Sequence, residues 1–296
     1  MVPVGLAINT EPFARILHKE NKNRRVFQVI CMNVPCNRIA LLGGIYSNYL
    51  ALEVALRDIN YRGVDAIYCL GDLGAFGPFP DRVFPLLDEQ GVQCVQGNYD
   101  HSVGHALDDC QCGYTDPRDN YFAQKSYDYT LNNTSDTNRC YLQHLPKQRQ
   151  LHFGRHRVLL CHGSPRRVNE FLWESTTTDH YLDVLLDDLE IDCLFATHTG
   201  IKWKRDLNAG RRFVNVGVLG RPENDGQTCV WYTLVGDHGS GPVDIEFVPV
   251  HYDHRRLARE MKGEGLPEAF QQTILTGWWT TCLESLPSKE RKKGRF

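Results

Sequence analysis

The stretch Tyr68-Cys69-Leu70-Gly71-Asp72-Leu73-Gly74-Ala75-Phe76-Gly77-Pro78-Phe79-Pro80-Asp81 decides how the rest of the chain is read. A β-rich apolar run over residues 64–70 stops at a glycine, and a carboxylate follows at once. Gly74, Gly77, Pro78 and Pro80 keep the next residues out of regular structure. In open α/β sheets, ligands gather beyond the carboxyl ends of strands. Asp72, set there by a glycine that lets the backbone turn, is therefore a candidate for holding a metal ion. Alone, a Gly-Asp pair reads as readily as a turn or a helix cap. The layout recurs three more times, with Asn98, His162 and His198 each following an apolar run, and this recurrence favours a shared site.

Working outward, residues 39–42 read as a buried strand ending in Gly43-Gly44-Ile45-Tyr46. Ser47 or Asn48 then caps a helix in which Leu52, Leu56 and Ile59 recur at i, i+4 and i+7. Strand 64–70, a helix over 82–90 closed by Gly91, and strand 92–95 ending in Gly97-Asn98-Tyr99-Asp100 follow. This order predicts a parallel sheet with right-handed crossovers. Residues 101–146 break the rhythm and read as a helical insertion beside the site, with helices over 122–131 and 139–145. Cys110-Gln111-Cys112 reads as two loop thiols, or as half of a zinc site whose other ligand pair is not in evidence.

The rhythm resumes with strand 157–161, helix 181–189 and strand 191–196. Strands 213–216, 228–235 and 243–250 have no helices between them, which predicts an antiparallel or mixed second sheet. Residues 254–261 and 267–276 are predicted helical, and Trp278-Trp279 reads as packing on the second sheet or as a lid over the site. The expected organisation is an N-terminal extension outside the fold (1–36, with Met32 as an alternative start), a main domain (37–252) and a C-terminal helical tail (253–296).

The chain has 296 residues, 42% hydrophobic and 23% charged, as in soluble globular proteins. A net charge of −3 predicts neither a nucleic-acid nor a membrane surface, and no apolar run approaches the ~20 residues of a membrane span. The first eight residues make a poor signal peptide. Eleven cysteines, several of them inside apolar runs, predict a reducing cytoplasm and no disulfide framework. Nothing in the pattern sets an oligomeric state.

Asp72, Asn98, His162 and His198 supply one carboxylate, one amide oxygen and two imidazoles, a sensible ligand set for Mn²⁺, Fe²⁺ or Zn²⁺. Gly71-Asp72, Gly97-Asn98-Tyr99-Asp100, His162-Gly163-Ser164-Pro165 and His198-Thr199-Gly200, with Asn215-Val216-Gly217 downstream, resemble the calcineurin-like metallophosphoesterases, and most closely their compact bacterial phosphodiesterase branch. The resemblance runs from about Arg38 to Leu275. It implies an α/β fold, a two-sheet β-sandwich of mixed strands flanked by helices, with metals at the strand ends and hydrolysis of phosphate mono- or diesters.

The departures are specific. Where the family opens with Asp-x-His, this chain has Gly44 and Tyr46, and where the last motif ends in a second His it has Gly200. All three belong by resemblance to the first of two metal sites, whereas Asp72, Asn98, His162 and His198 complete the second. The expectation is one tightly bound divalent ion per chain. Tyr46 is read as a packing residue, since a phenolate ligand would need a strongly acidic metal. Tyr99 stands where the family has a histidine that assists the leaving group, beside a retained Asp100. The resemblance thus assigns catalysis to Asp72, Asn98, Tyr99 and Asp100. Asn98, Arg166 and Arg221 are candidates for binding the phosphoryl group, with a solvated surface as the other reading of Arg166. The partner implied is a small phosphorylated substrate, cleaved by metal-activated water; the rival reading is a protein that binds a metal or phosphorylated ligand without cleaving it.

Overall fold

The computed structural model describes residues 37–292. The extension read over 1–36 lies outside the described residues, as do residues 293–296. The described part forms one compact unit.

Strand β1 (Arg38–Leu42) pairs in parallel with β2 (Ala66–Cys69), which pairs in parallel with the short β3 (Gln93–Cys94). Helix α1 (Tyr49–Arg62) joins β1 to β2, its first turn capped by Asn48, whose Oδ1 accepts from the Ala51 amide at 3.1 Å. Helix α2 (Val83–Glu89) joins β2 to β3. Next come α3 (Asn98–His105), α4 (Pro117–Asn132), α5 (Asp136–Gln143), β4 (Gln148–Phe153), β5 (His156–Cys161), α6 (Asp179–Asp188), β6 (Cys193–Ala196), β7 (Trp203–Asp206) and β8 (Arg212–Asn215). The chain continues through β9 (Val230–Gly236), β10 (Asp244–Val250), α7 (His254–Gly263), α8 (Glu268–Thr276) and α9 (Ser288–Lys292).

The strands form two five-stranded mixed sheets, in the orders β10-β9-β1-β2-β3 and β4-β5-β6-β8-β7. Both faces of each sheet are covered, and the alternation along each strand shows how. Ile39 and Leu41 of β1 point into the layer between the sheets, where they meet Leu160, Phe195 and Val214. Ala40 and Leu42 point to the other side, onto Leu52 and Ile59 of α1 and Leu257 of α7. The outer face of the second sheet packs Leu159, Leu194 and Phe213 against Leu182, Leu185 and Leu186 of α6. The architecture is α/β/β/α, a two-sheet sandwich flanked by helices. Among the described residues, no helix is long and apolar enough to cross a membrane.

Three expectations are corrected. The late strands do not make a sheet of their own: β8 joins the second sheet, whereas the β9–β10 hairpin extends the first, antiparallel to β1. The hairpin carries buried apolar residues on both faces. It sends Val235 and Ile245 into the inter-sheet layer and Leu234 and Val248 toward the helices, which suits the free edge of β1. Strand β4 carries little apolar signal in the sequence, because it is a polar edge strand, Gln-Arg-Gln-Leu-His-Phe. Helix α3 begins at Asn98, where the sequence reads only as a loop; its cap is Gly97, which offers no side-chain signal, and Asp100 reaches back to the Gly97 amide at 2.8 Å.

Candidate metal centre

Each motif residue sits just beyond a strand: Asp72 after β2, Asn98 after β3, His162 after β5 and His198 after β6. Two of these strands belong to the first sheet and two to the second, so the site straddles the carboxyl-end rim of the sandwich. Gly71 permits this convergence. It has φ +92°, and a Cβ on it would lie 2.4 Å from the Gly97 nitrogen, so only glycine lets the Asp72 and Asn98 loops touch. Asp72 and His198 hold left-handed backbone (φ 57° and 65°), a conformation that costs of order 1–3 kcal/mol at a non-glycine residue and clusters at functional sites.

Asp72 Oδ2 lies 3.2 Å from His162 Nε2, which lies 3.1 Å from His198 Nδ1. One ligand atom from each of these three buried residues falls within 4.8 Å of the others. The tautomer of His162 is set behind it, where Nδ1–H donates to the Leu70 carbonyl at 2.6 Å. Its Nε2 therefore presents a lone pair toward the carboxylate and the second imidazole, an arrangement of acceptors that a cation resolves. Asn98 adds a fourth. Its Nδ2 donates to the Cys110 carbonyl at 2.8 Å, and its buried Oδ1 has no hydrogen-bond partner although it belongs to the same cavity as Asp72 and His198. Buried amide oxygens are seldom left unpaired. The donor set of carboxylate, two imidazoles and an orphaned amide oxygen fits a divalent metal ion.

Without an ion, the electrostatics divide the histidines. Burial, then the charge on His162, push His198 down to about 3. Burial also disfavours charge on His162, but the Asp72 carboxylate outweighs it and the net displacement is upward. Burial raises Asp72, and His162 and His198 together more than reverse this, leaving it below the ordinary carboxylate range.

The other predicted residues fall in different places. Asp100 is buried but does not line the cavity. Its oxygens accept from the amides of Asp72 (2.7 Å), Leu73 (2.9 Å) and Gly97 (2.8 Å), so it braces the two ligand loops. Burial and the neighbouring Asp72 charge push it up to about 6. Tyr99 lines the cavity, its hydroxyl donating to the Ala123 carbonyl at 3.3 Å, and burial raises its phenol well above the ordinary value. Tyr46 also lines the cavity, and burial keeps it protonated. Its ring packs on Gly44, where a Cβ would lie 2.5 Å from Cε1. Gly200 (φ +81°) lies under Trp279, 3.1 Å from where its Cβ would be. The positions Gly44, Tyr46 and Gly200 thus surround aromatic packing rather than ligand atoms.

Arg221 lines the cavity, whereas Arg166 does not: Arg166 is exposed and lies over the Tyr181 ring, 5.8 Å from its centroid. Trp279 is buried in a cluster with Trp173, Ile201 and Leu286, beside Gly200 and beneath Arg221. Cys110 and Cys112 are joined in a disulfide, which corrects the reading of two loop thiols. Sequence reasoning also missed the apolar wall formed by Phe76, Phe122 and Phe270, because it is assembled from a loop, α4 and α8. The cavity measures ≈ 60 Å³.

The comparisons with known proteins agree with this fold. Residues 38–237, more than half of the chain, match the calcineurin-like phosphoesterase superfamily domain. The chain is 25% identical over 253 residues to the uncharacterized protein MJ0912 of Methanocaldococcus jannaschii, covering 81% of this chain and 98% of that one. Among solved structures it is similar to hypothetical protein PH1004 of Pyrococcus horikoshii (TM-score 0.68, 20% identity, 82% of this chain and 99% of that one). It is similar also to a metallophosphoesterase of Sphaerobacter thermophilus (TM-score 0.61, 24% identity, 82% and 99%). The chain belongs to the calcineurin-like phosphoesterase superfamily.

Proposed function

We propose that the protein is a metal-dependent phosphoesterase that hydrolyses a small phosphate ester with one tightly bound divalent ion per chain. The observation that carries this reading is the convergence of Asp72, His162 and His198 within 4.8 Å, beside the orphaned oxygen of Asn98. A divalent ion there supplies Lewis acidity toward the phosphoryl group and makes water a better nucleophile near neutral pH. The chain's own part is positional. Asp72 is aimed by the Tyr99 amide, which donates to its Oδ1 at 3.1 Å, and His162 is aimed by the Leu70 carbonyl. Phe76, Phe122 and Phe270 give the cavity an apolar wall beside the reacting group. In the reaction, the oxygen of water bonds to phosphorus as the ester P–O bond breaks, and a proton from that water ends on the departing alcohol.

A second reading, ligand binding without hydrolysis, draws support from Tyr99. Its phenol is raised well above neutrality and its hydroxyl is committed to a backbone carbonyl, so it is a poor proton donor to a leaving group. Elemental analysis of protein purified without added metal, beside a panel of aryl phosphomonoesters and diesters, separates the two. One ion per chain with turnover supports the enzyme; one ion with no turnover on any member of the panel supports the binding protein.

A further inference from the structure

Arg221 is a buried cation that the fold around it does not neutralise. Only 6% of its surface is exposed, and among the described residues no ion pair includes it. Its polar neighbours are the hydroxyls of Tyr46 and Tyr114 and the thiol of Cys282, not carboxylates. Its Nε has no hydrogen-bond partner. A guanidinium keeps its charge at any working pH, and a charge taken out of water without a partner is costly. Such a group calls for an anion, and Arg221 lines the same cavity as Asp72, Asn98 and His198.

The guanidinium is also held in place. It lies 3.7 Å from the centroid of the Trp279 ring. Trp279 is fixed in turn by its indole N–H to the Pro222 carbonyl (2.8 Å) and its amide to Asn224 Oδ1 (2.9 Å). Gly200 leaves the room for this stack, since a Cβ there would lie 3.1 Å from the indole and 3.4 Å from Arg221 Nη2. The segment after Trp279 is tied to the start of α4. The amides of Cys282 and Glu284 donate to the Asp119 carboxylate (2.7 and 2.9 Å), and Glu284 accepts from the Thr115 and Asp116 amides (2.8 and 2.6 Å). Cys282 of this strap and Cys112 of the α3–α4 loop both line the cavity.

Resting on the phosphoesterase reading, we infer that Arg221 binds the terminal phosphoryl group of a phosphate monoester, with Trp279 as its positioning residue. A monoester presents its phosphoryl end with one substituent trailing, whereas a diester needs room on two sides of phosphorus. The cavity of ≈ 60 Å³ takes a phosphoryl-sized group, since one water needs about 10–15 Å³ on this measure. Cys282 of the strap and Cys112 of the α3–α4 loop take up part of the lining, so the substituents on phosphorus share that small volume. The fixed positive charge of Arg221, added to that of a divalent ion, also suits the dianion of a monoester better than the monoanion of a diester.

The test is calorimetric titration of inorganic phosphate, phenyl phosphate and diphenyl phosphate into the full chain loaded with Mn²⁺, with metal content measured in each sample. Wild type is expected to bind phosphate and phenyl phosphate, and diphenyl phosphate at least about tenfold more weakly. Arg221→Met is expected to weaken phosphate by at least about tenfold with metal content unchanged, Arg221→Lys to recover part of the loss, Trp279→Phe to retain binding and Trp279→Leu to weaken it. Arg221→Met binding phosphate as wild type does, or diphenyl phosphate binding as tightly as phenyl phosphate, overturns the inference. Wild type that takes up Mn²⁺ but no phosphate overturns it too and leaves the metal centre standing. Wild type that takes up no Mn²⁺ overturns the phosphoesterase reading beneath it.

Discussion

Asp72 Oδ2 and His162 Nε2 face each other across 3.2 Å, although Asp72 follows a strand of the first sheet and His162 a strand of the second. The contact joins the two sheets at their common rim, and both groups are buried. Asp72→Asn keeps the shape and removes the charge. Loss of a partner outside the ligand shell typically costs about 10–100-fold in metal affinity, and loss of a ligand's charge costs more. Calorimetric titration with Mn²⁺ is expected to show Asp72→Asn weaker than wild type by more than about 100-fold; equal affinity would remove Asp72 from the site.

The displaced histidines give the metal-free protein a stability that depends on pH in two opposite senses. His198 is pushed from 6.5 to about 3 by burial and then by His162, so the unfolded chain takes up the proton first as pH falls. Its contribution is complete above 6.5 and is lost as pH falls toward about 3. His162 ends above its ordinary value, so its contribution is complete below 6.5 and is lost as pH rises through the folded value. The His198 contribution is expected to lower thermal melts of metal-free protein from pH 6.5 downward, against the opposite effect of the raised Asp100. As pH falls, the acid limb in His198→Gln is therefore displaced toward higher melting temperature. Parallel acid limbs in the two proteins would contradict the assignment.

Asp100 receives three backbone N–H groups, from Asp72, Leu73 and Gly97. Each buried donor left without an acceptor costs about 1–3 kcal/mol. Asp100→Ala is therefore expected to lower stability in denaturant by several kcal/mol, on the order of the sum over the donors it orphans. It should weaken Mn²⁺ binding as well, because the Asp72 and Asn98 loops lose their common brace. A variant as stable as wild type would mean that the three amides find other partners.

The Cys110–Cys112 bridge shapes the loop whose Cys110 carbonyl holds the Asn98 amide at 2.8 Å. That contact points Asn98 Oδ1 away from the loop. The double variant Cys110→Ser/Cys112→Ser frees the loop and is expected to weaken Mn²⁺ binding by about 10–100-fold, the range for loss of a group that orients a ligand. Mass spectrometry of unreduced wild type checks the bridge, and unchanged metal affinity in the variant would separate the loop from the site.

Gly200 has φ +81° and lies against Trp279. Gly200→Ala imposes left-handed strain of about 1–3 kcal/mol and crowds the indole. A lowered melting temperature with metal content unchanged is the expected result. Altered metal content would show that this position still communicates with the ligands.

Legibility followed the range over which each signal acts. Asp72, Asn98, His162 and His198 were readable because a strand end with glycine beside it is a local pattern, and repetition of that pattern marks a common rim. The central strands and helix α1 were readable because their apolar spacing is local too. The partner of β1 was not: β9 lies far along the chain, and no local pattern tells a hairpin which sheet edge it will extend. Helix α3 hid behind a glycine cap, and β4 hid in a polar edge. Asp100 looked catalytic from its motif, and only its three amide partners mark it as a brace.

By itself, the amino-acid order determined the layered α/β class, the family and the four residues at the strand ends, because hydrophobic period and glycine-bounded turns are written within a few residues of each other. Tertiary structure alone decided that Trp279 lies under Arg221 and that α4 and α8 wall the cavity. Those contacts join segments many tens of residues apart. They are selected by which apolar surfaces remain uncovered once the sheets have packed, a property of the assembled molecule that no single stretch of chain contains.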